Sequence, residues 1–142
     1  QPRGQRGLAG IRAADFGRAG SLGEYVEKAN AETLIVAQIE TVEAVENLPE
    51  IVKTDGVDVI FIGPNDLANS LGHAGNIAHP EVQAAMNEIA EIVLASDKVL
   101  GLMIYNSKGA REWRDKGARF ITVPFESVMT TAMTKFLEES KN

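Results

Sequence analysis

Apolar and polar positions along this chain follow two rhythms. Short runs that are apolar almost throughout alternate with longer stretches in which apolar residues return every three or four positions. The runs cover residues 34–40 (Leu34-Ile35-Val36-Ala37-Gln38-Ile39-Glu40), 57–62, 99–104 and 119–123. Continuous apolar runs of this length predict strands covered on both faces, as in a parallel sheet. The stretches between them predict helices. In residues 80–95, Val82, Ala85, Met86, Ile89, Ile92 and Val93 share one helical face, and Pro80 suits the first helical position. A last amphipathic helix carries Val128, Ala132, Met133, Phe136 and Leu137, with polar final turns that predict fraying.

Local signals place the helix ends. Ser21-Leu22-Gly23-Glu24 has the form of a capping box, which predicts a short helix over 22–30. Thr41 is placed to cap the next helix, which Pro49 should break near Asn47. Asp55-Gly56 marks a turn before the second strand. Ser107 is the expected cap of a helix that ends at Gly117, and Pro124 stops the fourth strand. Residues 1–20, rich in Gly, Arg and Ala, read as loop, and residues 67–79 read as one long loop. The pattern is four β/α units of similar length, hence right-handed crossovers and one parallel sheet. Periodicity alone leaves two architectures open, half of an eight-stranded β/α barrel or a small open α/β sheet. No Gly-x-Gly-x-x-Gly or Gly-x-x-x-x-Gly-Lys motif supports a nucleotide-binding version.

In parallel sheets of this kind ligands bind at the carboxyl ends of the strands, and two of these strands run into carboxylates. Glu40 ends the first, and Gly63-Pro64-Asn65-Asp66 follows the second. Neighbouring strands lie about 4.8 Å apart, so Glu40 and Asp66 could share a hard divalent cation such as Mg²⁺ or Mn²⁺. Equally, Glu40 could simply precede a helix and Asp66 cap a turn. Gln38 lies on the same side of its strand as Glu40 and needs a polar partner, either the protein and water or a substrate. Gly63 would let a ligand approach the main chain, and the amides of Asn65 and Asp66 could face an anion such as a carboxylate. Arg3, Arg6, Arg12 and Arg18 form either an anion-binding rim or ordinary solvated charge. Of the histidines, His79 belongs to a helix start and His73 to the long loop; Trp113 reads as packing on an outer helix.

Composition removes several classes. With 142 residues, 44% hydrophobic and 24% charged, the chain suits one domain with a core. A net charge of −6 offers no broad basic face, so neither nucleic acid nor an anionic membrane surface is an expected partner. The absence of cysteine excludes disulfides, thiolate metal sites and a cysteine nucleophile. No apolar run reaches the ~20 residues of a membrane span, and residues 1–7 lack the apolar core of a signal peptide. The expectation is a cytoplasmic chain that starts inside a longer protein.

Val36-Ala37-Gln38-Ile39-Glu40-Thr41 and Val59-Ile60-Phe61-Ile62-Gly63-Pro64-Asn65-Asp66-Leu67 resemble the HpcH/HpaI aldolase family. So do Gly75-Asn76 with His79-Pro80-Glu81-Val82-Gln83, and Arg3-Gly4-Gln5-Arg6-Gly7, so the likeness runs over essentially the whole chain. The resemblance implies that residues 1–142 are the C-terminal half, four β/α units, of a TIM-type (β/α)8 barrel. It implies a class II aldolase that cleaves a 4-hydroxy-2-keto acid to pyruvate and an aldehyde. Glu40 and Asp66 would then ligate Mg²⁺, Mn²⁺ or Co²⁺, and pyruvate or the 2-keto-acid would chelate that metal. Asn65 and Asp66 amides would hold its carboxylate, with Gln38 and Gly63 beside it and Met103 as apolar wall. A homo-oligomer, a hexamer in the family, is implied as well.

Two departures qualify this. The family's arginine and histidine–aspartate acid/base pair have no counterpart in the chain, so little or no turnover by these 142 residues alone is expected. Val123-Pro124-Phe125-Glu126 stands where the family usually has a glycine and then an acidic residue. The alternatives are a citrate-lyase-like lyase acting on a CoA thioester and a non-catalytic aldolase remnant.

Overall fold

A computed structural model describes residues 7–10, 12–18 and 20–141. The chain divides into two compact units, one ending at Leu34 and one starting at Ile35. In the first, the segment expected as loop contains a 3₁₀ stretch, Arg12–Gly17, in which Asp15 and Phe16 take left-handed backbone angles. Of the four arginines considered as a rim, Arg3 and Arg6 lie outside the described residues. Arg12 is exposed, and Arg18 pairs with Asp15 at 3.0 Å, which satisfies it locally. Helix α1, Leu22–Glu32, starts with the predicted capping box: Ser21 N–H donates to the Glu24 carboxylate at 2.8 Å, and Glu24 N–H donates to Ser21 Oγ at 3.2 Å. These donors, the Ser21 amide first, hold the Glu24 carboxyl below its usual range.

The second unit contains β1 (Val36–Ile39), α2 (Val42–Glu46), α3 (Leu48–Ile51), β2 (Val59–Ile62), α4 (Pro64–Ser70), α5 (Pro80–Leu94), β3 (Val99–Met103), α6 (Ser107–Lys116), β4 (Phe120–Thr122) and α7 (Phe125–Glu139). The four strands form one sheet in the order β1-β2-β3-β4, each pair parallel. Thr41 caps α2, and the helix breaks at Asn47 with Pro49 in the next first turn. Gly117 closes α6 at a φ of +112°, a conformation that a side chain would strain.

Three expectations change. The strands are shorter than the apolar runs: β1 starts at Val36 and β4 ends at Thr122, which leaves the exposed Leu34, Ile35 and Val123 outside them. Residues 67–70 belong to α4 and not to a loop: Pro64 presets the first turn, and Leu67 and Ala68 are buried on its inner face. The cap of α6 is Asn106, whose side chain accepts from Gly109 N–H at 2.9 Å, while Ser107 is the first helical residue. Among the described residues, no helix is long and apolar enough to cross a membrane.

The two sheet faces differ. Ile39, Ile60, Ile62, Leu100 and Leu102 point to one side and pack with Leu48, Leu67, Val82, Met86, Ile89 and Val93 from the helices. Each such side chain, fully buried, contributes about 1.5–3 kcal/mol. Trp113 joins this core, with Lys116 Nζ 4.3 Å from its ring centroid. The other face is built in rows set by the strand register. Gln38, Phe61, Gly101 and Phe120 form one row. Phe61 and Phe120 meet edge to face across it, with centroids 6.0 Å apart.

That contact needs Gly101. A Cβ there would stand 3.0 Å from Val59 Cγ1 and 3.1 Å from both Phe120 Cδ1 and the Phe120 carbonyl oxygen. The carbonyl is part of the ladder and has little room to yield. Gly101→Ala should therefore cost about 1–3 kcal/mol, read as a lower urea midpoint at unchanged slope. An unchanged midpoint would refute this account of the row.

Candidate functional site

The next row toward the carboxyl edge is the polar one. Ile39 pairs with Ile62, Ile62 with Leu102, and Met103 with Thr122, so Glu40, Gly63, Met103 and Thr122 line up across the sheet. Gly63 N–H donates to the Ile39 carbonyl at 3.0 Å, which carries the pairing to this point. Gln38 and Glu40 share one side of β1, as the strand period requires. The Gln38 side-chain amide donates to the Glu40 carboxylate. Such a charge-assisted contact orients the carboxylate more firmly than a neutral one.

Gly63 gives these two side chains their place. A Cβ at Gly63 would lie 2.6 Å from Gln38 Nε2, 2.9 Å from Glu40 Cβ and 2.9 Å from Glu40 Oε2. Its φ of −94° is open to any residue, so the requirement is for space and not for backbone freedom. The sequence pointed to a ligand approaching the glycine main chain. In the structure, Gln38 and Glu40 border that approach.

Gly63 also caps α4, so Asn65 and Asp66 fall in its first turn, immediately beyond the end of β2. No side chain caps that end, which leaves the amides of Asn65 and Asp66 facing outward from the turn. Asn65 Nδ2 donates to Tyr105 Oη at 2.6 Å, tying this turn to the segment after β3. Met103 is half-buried in the row, beside Thr122, whose buried Oγ1 has no hydrogen-bond partner among the described residues. The structure thus brings Gln38, Glu40 and Gly63 into contact and places Asn65, Asp66 and Met103 along the same edge. Tyr105 and Thr122 were missed, because neither belongs to a motif: the strand register brings in Thr122, and the bond from Asn65 brings in Tyr105.

The donor set suits a hard cation. Glu40, just past the end of β1, and Asp66, in the first turn of α4, supply oxygen only, and Glu40 is already turned over Gly63. A second group of donors sits away from this row. His73, in the turn after α4, bonds through Nε2 to Glu81 Oε2 at 2.7 Å and stacks on His79, with ring centroids 3.5 Å apart. His79 caps α5 as its position before Pro80 predicted, its Nδ1 accepting from Glu81 N–H at 3.3 Å. Hydrogen bonding to His73, foremost, holds the Glu81 carboxyl below its usual range.

The family model described as HpcH/HpaI aldolase/citrate lyase matches residues 2–132. A curated relative, 4-hydroxy-2-oxo-heptane-1,7-dioate aldolase of Escherichia coli, is 40% identical over 128 residues, which is 90% of this chain and 48% of the relative. A HpcH/HpaI aldolase/citrate lyase family protein from Burkholderia cenocepacia J2315 superposes with a TM-score of 0.89 at 36% identity, covering 99% of this chain and 55% of that one. The HpcH/HpaI aldolase from Desulfitobacterium hafniense DCB-2 gives a TM-score of 0.79 at 30% identity, with 99% and 55% covered. The chain spans about half the length of the curated relatives it matches. Such neighbours are TIM-type barrels, so the four β/α units are half of a barrel and the open-sheet alternative falls.

The packing around Gly63 makes a testable demand. Gly63→Ala should destabilise the chain by about 1–3 kcal/mol. Adding Gln38→Ala removes the nearest clashing atom and should recover part of that loss, a coupling of about 0.5–3 kcal/mol in a double-mutant cycle. Strictly additive effects in urea denaturation would contradict the assignment.

Proposed function

The chain belongs to the HpcH/HpaI aldolase/citrate lyase family, and from that premise we propose that its carboxyl-edge row is the metal- and pyruvate-holding part of a class II aldolase. The reaction proposed is retro-aldol cleavage of a 4-hydroxy-2-keto acid to pyruvate and an aldehyde. The observation that carries this reading is the Gly63 gap, which seats Glu40 over the end of β2, next to the turn that bears Asp66.

In this reading Glu40 and Asp66 hold Mg²⁺, Mn²⁺ or Co²⁺, the cations suited to an oxygen donor set. A divalent cation at this position supplies Lewis-acid stabilisation of the negative charge that develops on the keto oxygen as the carbon–carbon bond breaks. Gln38 keeps the Glu40 carboxylate in one orientation through its amide. The amides of Asn65 and Asp66 receive the substrate carboxylate, and Tyr105 steadies Asn65 from the neighbouring strand end. Met103 supplies the apolar wall for the pyruvate methyl. No group in this row is a natural proton shuttle for the departing aldehyde, so binding without appreciable turnover is the behaviour proposed for these 142 residues.

The same reading makes the protein cytoplasmic and oligomeric, a hexamer as the family resemblance implies. Exposed apolar side chains along α7, Phe125, Val128, Met133 and Phe136 among them, support association.

Calorimetry with Mn²⁺ in the presence of pyruvate tests the proposal. The chain should bind Mn²⁺ saturably, and Glu40→Gln or Asp66→Asn should each weaken that binding by at least about tenfold while the circular dichroism spectrum stays unchanged. Equal affinity in the folded variants would remove the metal assignment.

A further inference from the structure

We propose that His73, His79 and Glu81 form a second cation site, chemically distinct from the carboxyl-edge row, for Zn²⁺ or a similar borderline transition-metal ion. One nitrogen from each ring and one carboxylate oxygen of Glu81 lie within 4.8 Å of one another. Two imidazoles and one carboxylate are a nitrogen-rich set of the kind Zn²⁺ takes, with a fourth position left for water. The oxygen-only pair at Glu40 and Asp66 selects a different class of ion. The proposal therefore stands whether or not that pair binds a metal.

The ligands are held before any ion arrives. His73 N–H donates to the Ala68 carbonyl at 2.7 Å, Asn76 N–H to the His73 carbonyl at 2.9 Å, and His79 N–H to the Asn76 carbonyl at 3.1 Å. Gly72 and Gly75, at φ of +81° and +77°, supply the left-handed turns that fold the segment back on itself. The two rings therefore meet through a tight local loop and not through distant packing. Stacked with centroids 3.5 Å apart, the two rings bring their nitrogens close enough to share one ion with Glu81.

The adjustment needed is small. Ligand atoms around tetrahedral Zn²⁺, at bond lengths of about 2.0–2.1 Å, stand about 3.4 Å apart. Glu81 has 58% of its side chain exposed, and an ion would take the place of its 2.7 Å bond to His73 Nε2. Among the described residues, the Nδ1 lone pair of His79 meets only the 3.3 Å contact from Glu81 N–H, a weak bond that an ion readily replaces. An ion here would fasten the end of α4 to the start of α5, the two helices the turn connects.

The experiment titrates Zn²⁺ alone into the 142-residue chain carrying Glu40→Gln, which disables the oxygen pair. Saturable binding of one Zn²⁺ is expected, weakened at least about tenfold by His73→Ala or by Glu81→Gln. The chain has two histidines, so their ring ¹⁵N resonances are simple to follow, and both should shift with Zn²⁺ in the unaltered chain. Should His73→Ala fail to fold, the exposed Glu81→Gln change and the ring resonances decide the matter. Zn²⁺ binding that is not saturable, that survives Glu81→Gln unchanged, or that leaves both rings unshifted would overturn the proposal.

Discussion

The carboxyl-edge site depends on a methyl group that Gly63 does not have. Two side chains of β1 and its end use the space this leaves. Glu40 bends over it, Gln38 reaches into it, and the bond between the two fixes the carboxylate. A side chain at Gly63 would push against Glu40 Cβ as well as its carboxylate, and Cβ cannot move without β1 moving too. Backbone pairing, from Ile39 to Gly63, holds the two strand ends at the separation where this matters. Local composition, sheet register and donor chemistry therefore converge on one residue.

The same device appears one row down. Gly101 makes room for Phe120 to meet Phe61, as Gly63 makes room for Glu40 and Gln38. On the opposite face no such gaps occur among the strand residues, and Ile, Leu and Val interlock with α5 and its neighbours. The sheet thus combines a conventional packed face with a face on which glycines decide where large or charged neighbours lie. A barrel interior narrows as it closes, and glycine on neighbouring strands is one way to accommodate that narrowing.

Much of this was legible in the residues. The four strands, the helix caps at Ser21, Thr41 and His79, the break at Asn47 and the left-handed end at Gly117 all follow from short-range rules that the local chain obeys. The carboxylates at Glu40 and Asp66 could be placed at one edge because parallel strands put their carboxyl ends together. What was not legible depends on contacts between segments. Residues 67–70 looked like loop because a seven-residue helix is too short for clear periodicity, and only burial of Leu67 and Ala68 reveals it. Tyr105 meets Asn65 across 40 positions, and Thr122 enters the row only through the β3–β4 register. His73 and His79 face each other because two positive-φ glycines turn the segment, which spacing alone does not specify.

Two clusters of metal-competent side chains, one of oxygens and one rich in nitrogen, thus stand on either side of the short helix α4. The central claim is that the oxygen pair at Glu40 and Asp66 is where the hard cation and pyruvate meet. Crystals of the chain soaked with Mn²⁺ and pyruvate, examined by anomalous scattering from the manganese, test it most directly. The account predicts a manganese peak bonded to carboxylate oxygens of Glu40 and Asp66, with pyruvate chelating it against Met103. A manganese peak at His73 and Glu81 with none at Glu40, or pyruvate bound away from Gly63, would contradict it.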